Sequence, residues 1–235
     1  MMKKIFILSL MVLYLGAAVS VKAPSFKEGL ALQEAKRYKE ALQIFKTLCR
    51  QHNSRACFSL ALMYENAQGV NRDDKEARKH YDRACKGRIS SACFNLGLNF
   101  ERNKLNKEAD VAFYRACALK HLDSCTILAA KYKKKQKGDL AVEFFNKSCK
   151  LKDAHSCLEL ARLYEDGTIT RQNIKLAMSA YSTACSLGQP EACFYLGERN
   201  EGKDDNLAKR YYGRACDTSY ARACDAYKRL NKDFD

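Results

Sequence analysis

The sequence predicts an all-α chain, an α/α solenoid of short helical hairpins stapled by disulfides. Three observations carry this. The 12 cysteines form six C-x7-C pairs, Cys49/Cys57, Cys85/Cys93, Cys117/Cys125, Cys149/Cys157, Cys185/Cys193 and Cys216/Cys224, whose first members lie 36, 32, 32, 36 and 31 residues apart. A near-constant period of this size marks a repeat array. The same apolar pattern, at helical spacing, frames every pair. With two prolines and no period-two alternation, no stretch of the chain argues for a sheet.

The chain opens with Lys3 and Lys4, then IFILSLMVLYLGAAV (5–19), then small residues. That is the layout of a secretory signal peptide over residues 1–20. Ala18 and Ser20 suit cleavage after Ser20. A cut after Ala23, which sets Pro24 directly after the scissile bond, and an uncleaved membrane anchor are the alternatives. No Cys follows the apolar run, so a lipidated N-terminal Cys is not indicated, and no later segment is apolar enough to span a bilayer. The expectation is a secreted or periplasmic protein whose mature form is a soluble monomer with a single repeat domain over 24–235. An even number of cysteines in an exported chain favours disulfides over thiols. The formal charge of +15, less Lys3 and Lys4, leaves +13, a surface that attracts anionic headgroups, polysaccharide or acidic proteins. Nucleic acid is not expected as a partner, since no groove-reading motif occurs.

Within each repeat, Ala stands eight residues before the first Cys (41, 77, 109, 141, 177, 208). An aromatic stands four before it: Phe45, Tyr81, Phe113, Phe145, Tyr181 and Tyr212. Small, aromatic and Cys at i, i+4 and i+8 lie along one helical face. After the second Cys, Leu recurs at plus three (60, 96, 128, 160, 196), and Ala61, Gly97, Ala129, Ala161 and Gly197 occupy plus four. This is a second helix, whose small residue lets a neighbour approach closely. Tyr64, Phe100, Tyr132 and Tyr164 continue it at plus seven, where Asn200 breaks the set. The stretches NAQGVNRDD (66–74), EDGTITRQN (165–173) and EGKDD (201–205) hold the residues that end and cap helices. One hairpin cannot bury its apolar face alone, so about six stack. The final helix, from about 219, carries Lys228 where earlier units have Ala or Gly, as suits a terminal cap.

Two cysteine pairings are open. Bridges within each C-x7-C use every Cys at one spacing. Bridges from each second Cys to the next first Cys, 57 to 85 and onward, strand Cys49 and Cys224 and close loops of varying length. The first is favoured. It forces the chain to turn inside every pair, because eight residues of continuous helix would set the Cα atoms about 12 Å apart, against less than about 7 Å for a disulfide. In chain-entropy terms, one nine-residue loop contributes at most about 2.5 kcal/mol.

Stretches such as DKEARKHYDRACKGRISSACFNLGLNFE (74–101) resemble Sel1-like repeats, relatives of the tetratricopeptide repeats: A-x3-[YF]-x2-A closes one helix and A-x3-LG opens the next. With C-x7-C in each repeat of a basic chain, the sequence is similar to the Helicobacter cysteine-rich protein family over nearly all of its mature length. It departs in four-residue deletions around 102–106 and 134–138, and in Thr126 and Asn200 at positions normally apolar or aromatic. The resemblance implies a right-handed superhelix of disulfide-linked hairpins. It also implies two competing functions. Sel1-like repeats generally act as adaptors that hold a protein or peptide in a concave face, here with a role in host interaction. Members of the cysteine-rich family are also commonly labelled penicillin-binding proteins or β-lactamases, which makes a β-lactam the alternative ligand.

The residues supply little for the second function. A serine β-lactamase needs S-x-x-K, which sets nucleophile and proton acceptor one helical turn apart. No serine here has a lysine three residues on, and SDN, KTG and HExxH are absent. No catalytic residue, metal site or cofactor is assigned. His52, His121 and His155 lie between paired cysteines, but at offsets of three, four and six from the first Cys, whereas a ligand set would hold its spacing. The expected binding stripe lies on the helix after each second Cys, at two and six residues beyond it: Ser59/Met63, Asn95/Asn99, Ile127/Lys131, Glu159/Leu163 and Tyr195/Arg199. Each i, i+4 pair forms one stripe, which stacking would join into a surface. Asn95 and Asn99 would hydrogen-bond an extended backbone, while Lys131 and Arg199 would take carboxylates. KYKKKQK (131–137) reads as a solvated helix end, with an anion-binding patch as the alternative.

Overall fold

The structure, a computed structural model, describes residues 23–232. The expected signal peptide over 1–20 lies outside the described residues. Among those, the chain forms thirteen helices and no strand: α1 (Phe26–Glu34), α2 (Tyr38–Arg50), α3 (Ser54–Glu65), α4 (Asp74–Lys86), α5 (Ser90–Arg102), α6 (Asn106–Ala118), α7 (Leu122–Lys134), α8 (Gly138–Lys150), α9 (Ala154–Asp166), α10 (Ile174–Ser186), α11 (Pro190–Asn200), α12 (Asp205–Cys216) and α13 (Ala221–Lys232). No described helix is long and apolar enough to cross a membrane.

All six bridges fall within the C-x7-C pairs: Cys49–Cys57, Cys85–Cys93, Cys117–Cys125, Cys149–Cys157, Cys185–Cys193 and Cys216–Cys224, with Cα atoms 4.6 to 4.8 Å apart. Each first Cys lies in the last turn of an even-numbered helix and each second Cys near the start of the following odd-numbered one. The turn between them is the same every time. The third residue after the first Cys has positive φ: His52, Arg88, Lys120, Lys152, Gly188 and Ser219. Its N–H donates to the carbonyl of the first Cys, and the next N–H reaches back to the residue before that Cys, as in His52 to Cys49 and Asn53 to Leu48. This satisfies the carbonyls that a helix end leaves orphaned. Asn53 and Asp153 then cap the next helix with their side chains.

The helices pair most extensively across the other turns, α3 with α4, α5 with α6, α7 with α8, α9 with α10 and α11 with α12. The compact hairpin is thus offset from the Cys pairs, and each disulfide joins one hairpin to the next. The small residue four after the second Cys is the close contact within a hairpin. A Cβ on Gly97 would sit 2.5 Å from the Phe113 ring, and one on Gly197 would sit 2.5 Å from the Tyr212 ring. Gly29 stands in the same relation to Phe45 at 2.6 Å, which makes α1 the opening helix of the first hairpin although it carries no Cys. The core runs along the chain as two clusters of buried Ala, Leu, Cys and aromatic side chains, with Phe94 and Phe100 packed against both.

Two hairpins have longer turns, and each folds back onto the preceding even-numbered helix. Gly69, at φ 70°, lies against the Tyr38 backbone, and the carbonyl of Ile169 lies 1.5 Å from where a Cβ on Gly138 would stand.

Substitutions at the staples and the tight glycines test this frame. Replacing Cys117 and Cys125 by Ala should cost about 2.5 kcal/mol, read as a lowered denaturant midpoint with unchanged helical circular dichroism; no change would deny the staple its role. Gly138→Ala should destabilise by about 1–3 kcal/mol, whereas Gly188→Ala, whose added methyl meets no atom within 4 Å, should cost only the strain of its left-handed backbone.

Candidate functional site

The structure divides the expected stripe. Six residues after the Cys, Met63, Asn99 and Leu163 are buried, Lys131 is half-buried and Arg199 is exposed. Two residues after it, Ser59 and Glu159 are buried, while Asn95, Ile127 and Tyr195 are half-buried. The reason is helical phase. At about 100° per residue, position six rotates toward the core, positions five and nine face outward, and position two lies at the edge of that outward face. Accordingly Leu98, Ala130, Arg162 and Glu198 at plus five, and Arg102 and Lys134 at plus nine, are exposed.

The cysteines, in contrast to the outward positions, belong to the core and to no binding face. Cys57, Cys93, Cys125, Cys157 and Cys193 are all buried, Cys157 completely and Cys193 at 2% exposure. Their partners Cys49, Cys85, Cys117, Cys149 and Cys185 are buried beside them, and Cys216 and Cys224 of the last bridge are half-buried. Cys157 and Cys193 open α9 and α11 from the inner side, so their sulfurs pack among Ala and aromatic side chains and offer nothing to a ligand. Among the described residues no cysteine is free.

Several stripe residues are engaged internally. Asn99 accepts from Arg78 Nε at 2.9 Å and donates to the Asp74 carbonyl at 3.2 Å, so its amide ties α5 to α4. Lys131 pairs with Asp110. Glu159 takes Lys133 on one oxygen and Arg162, at 2.9 Å, on the other. Burial would raise its pKa, but these two cations outweigh that and hold the carboxyl below its usual range. Asn95 donates to the Tyr81 hydroxyl at 3.3 Å.

A second set, missed from the sequence, recurs eight residues after the second Cys. Glu65 accepts from Tyr81, Glu165 from Tyr181 (2.6 Å) and from Tyr195, and Glu201 from Tyr212 (2.7 Å). Tyr181 and Tyr195 stack with centroids 4.0 Å apart, and the Arg199 guanidinium lies 5.6 Å from the Tyr195 ring. A sequence signal existed. Tyr rather than Phe four before the first Cys coincides with Glu at this position, whereas opposite Phe145 it is Lys133; opposite Phe113, Glu101 has no hydroxyl to meet. Burial and then the facing carboxylate push the Tyr81, Tyr181 and Tyr212 phenols well above the ordinary range, and Tyr195 to about 12. Hydrogen bonds from Arg229 and Tyr212 hold Glu201 low.

Three clefts open between successive odd-numbered helices. The α3/α5 cleft, about 320 Å³, is lined by Glu65, Asn95, Leu98, Glu101 and Arg102. The α7/α9 cleft, about 710 Å³, includes Ile127, Ala130, Lys133, Lys134 and Glu159. The α11/α13 cleft, about 670 Å³, includes Glu198, Glu201, Arg222 and Arg229. All three draw on the same register, positions two, five and eight after a Cys. Among the described residues no group of three His, Cys, Asp or Glu side chains gathers as metal ligands would. His80 is buried and stacked on Tyr64, and desolvation lowers its pKa to about 4, so it is neutral near pH 7.

The chain belongs to the Sel1 repeat family, whose repeat model matches residues 54–87, 133–153, 154–189 and 190–217. Three of these segments begin at the start of α3, α9 and α11, in phase with the compact hairpins. Similar solved structures include a protective antigen of uropathogenic Escherichia coli with an SLR fold (TM-score 0.66, 20% identity, 86% of this chain and 47% of that one). A Sel1 repeat protein from Oxalobacter formigenes is also similar (TM-score 0.62, 20% identity, 82% and 85%). Helicobacter pylori cysteine rich protein B aligns over 51% of this chain and 92% of its own, at 25% identity and TM-score 0.39. The chain spans about half the length of the Escherichia coli antigen. No curated protein matches it in sequence.

The Tyr–Glu pairs give stability a pH dependence. Because folding raises these phenol pKa values, their contribution is complete below about pH 10, the unfolded value, and is lost as pH rises through the folded ones. Denaturation midpoints should decline above pH 10, and Tyr81→Phe/Tyr181→Phe/Tyr212→Phe should flatten that decline; parallel curves would refute the coupling. Glu159 and Glu201 act oppositely. Their contribution is present above about pH 4.3 and fades as pH falls through their lowered folded values, so Glu201→Gln should blunt the acid-side loss.

Proposed function

We propose that this protein is an exported scaffold that binds a protein or peptide along the outward face of its odd-numbered helices. The carrying observation is the run of clefts at one helical register. A repeat array that exposes Leu98, Ala130 and Glu198 at equivalent positions, beside charged rims, offers an extended segment the same kind of seat several times over. Half-buried Asn95, Ile127, Lys131 and Tyr195, exposed Arg199 and the cleft-lining Glu159 contribute to this face, whereas Ser59, Met63, Asn99 and Leu163 support it from within.

Six disulfides fit an oxidising compartment, and the Lys3/Lys4 and apolar N-terminal stretch fits export there, to the periplasm or beyond the cell. The strong positive charge favours an acidic partner, at the envelope or a host surface. No observation favours β-lactam binding or hydrolysis, and neither is proposed.

Capture from envelope and host-surface extracts tests the reading. Wild type is compared with a variant carrying Leu98→Glu, Ala130→Glu and Glu198→Lys, all at exposed positions that leave the fold intact. The variant should melt as wild type does and lose the captured partner; equal recovery would contradict the proposal.

A further inference from the structure

We infer that the α7/α9 cleft anchors an acidic peptide segment, seating an apolar side chain between flanking carboxylates. This rests on the odd-numbered face being the binding surface, and adds the chemistry of what one part of it takes.

The cleft is the largest of the three, at about 710 Å³, and Ile127, Ala130 and the ring of Phe145 give it an apolar lining. Its charge sets it apart. Glu159 is the one acid in its lining, and Lys133 and Arg162 already occupy both of its oxygens. The α7 helix runs out into five lysines in seven residues, of which Lys131 pairs with Asp110 and Lys133 with Glu159. Among the described residues no ion pair forms at Lys134, Lys135 or Lys137, and Lys134 lines the cleft. A helix C-terminus carries about half a negative charge, which three further cations exceed. The other two clefts carry their own acids, Glu65 and Glu101 beside Arg102, and Glu198, Glu201 and Asp225 beside Arg222 and Arg229. Of the three clefts on this face, only the α7/α9 one pairs an apolar interior with cations for which no ion pair forms among the described residues.

Ser156 adds an independent observation. It lines this cleft, is 1% exposed, and its hydroxyl is the one buried side-chain polar atom among the described residues with no hydrogen-bond partner. Four of the other five repeats have Ala at this position, and Ser124 in the fifth bonds to His121 at 3.3 Å. The fold therefore does not need a hydroxyl here. A buried hydroxyl left unpaired is destabilising, and the backbone of a segment seated in the cleft would supply the missing partner.

Fluorescence anisotropy with the mature full-length protein tests this. The probe is a labelled, end-capped nonapeptide with one Leu between two pairs of Glu; companions carry Ser for the Leu, or Gln for the four Glu. The probe should bind, with at least tenfold weaker binding for either companion. Ala130→Glu and Lys134→Glu, both at exposed positions, should weaken it as much, and Leu98→Glu should not. Failure of the probe to bind, or binding indifferent to the Leu, overturns the inference. Binding that Leu98→Glu abolishes and Ala130→Glu spares overturns this cleft while leaving the wider face standing. Indifference to all three substitutions sinks both. Phosphatidylglycerol vesicles that bind wild type and Ala130→Glu alike, and displace the probe, would assign the lysines to a membrane surface and also overturn it.

Discussion

The whole array depends on one junction: a helix end, a left-handed residue three places past a cysteine, and a disulfide that closes the turn. The residue at that place is Gly only at 188; His52, Arg88, Lys120, Lys152 and Ser219 hold it elsewhere. An L-residue in this conformation costs roughly 1–2 kcal/mol, and the backbone bonds that the turn completes offset it. The disulfide then removes the alternatives open to a nine-residue loop. Six repetitions of one local solution fix how each hairpin meets the next.

With the junction fixed, side-chain volume sets the rest. Ala at minus eight and an aromatic at minus four present one face of each even-numbered helix. Ala or Gly at plus four lets the odd-numbered helix come down on the aromatic ring. Where that ring is Tyr, its hydroxyl reaches the far end of the hairpin and needs a carboxylate, which Glu65, Glu165 and Glu201 provide. The outward side of the odd-numbered helices is left free of these demands, and there the repeats differ most in charge: mixed at α3/α5 and α11/α13, and cationic at α7/α9.

The fold was legible because its markers are covalent and periodic. Cysteine spacing exposed the repeat, and small and aromatic residues at helical intervals gave both helices of each hairpin. What stayed hidden lacks such markers. The α1 helix has no Cys, and the contacts of Gly29 and Phe26 with Phe45 show its place. A stripe taken at steps of four overshoots the 3.6 residues of a helical turn. That small excess carries Met63, Asn99 and Leu163 into the core and brings Leu98, Ala130 and Glu198 out. Polarity is ambiguous for a related reason. Asn99 and Glu159 look like ligand-binding residues until Arg78, Lys133 and Arg162 are seen to satisfy them, and such pairings join residues distant in sequence. The Tyr–Glu pairs were readable from a fixed offset, but only by comparing two positions across repeats at once.

Disulfide mapping tests the junction most directly. Protein kept unreduced, with any thiols blocked before digestion, is analysed by peptide mass spectrometry. If each staple closes its own turn, the linked peptides will join Cys49 to Cys57, Cys85 to Cys93, Cys117 to Cys125, Cys149 to Cys157, Cys185 to Cys193 and Cys216 to Cys224, with no blocked cysteine. A peptide linking Cys57 to Cys85 or Cys157 to Cys185, or blocked thiols at several of these positions, would contradict it.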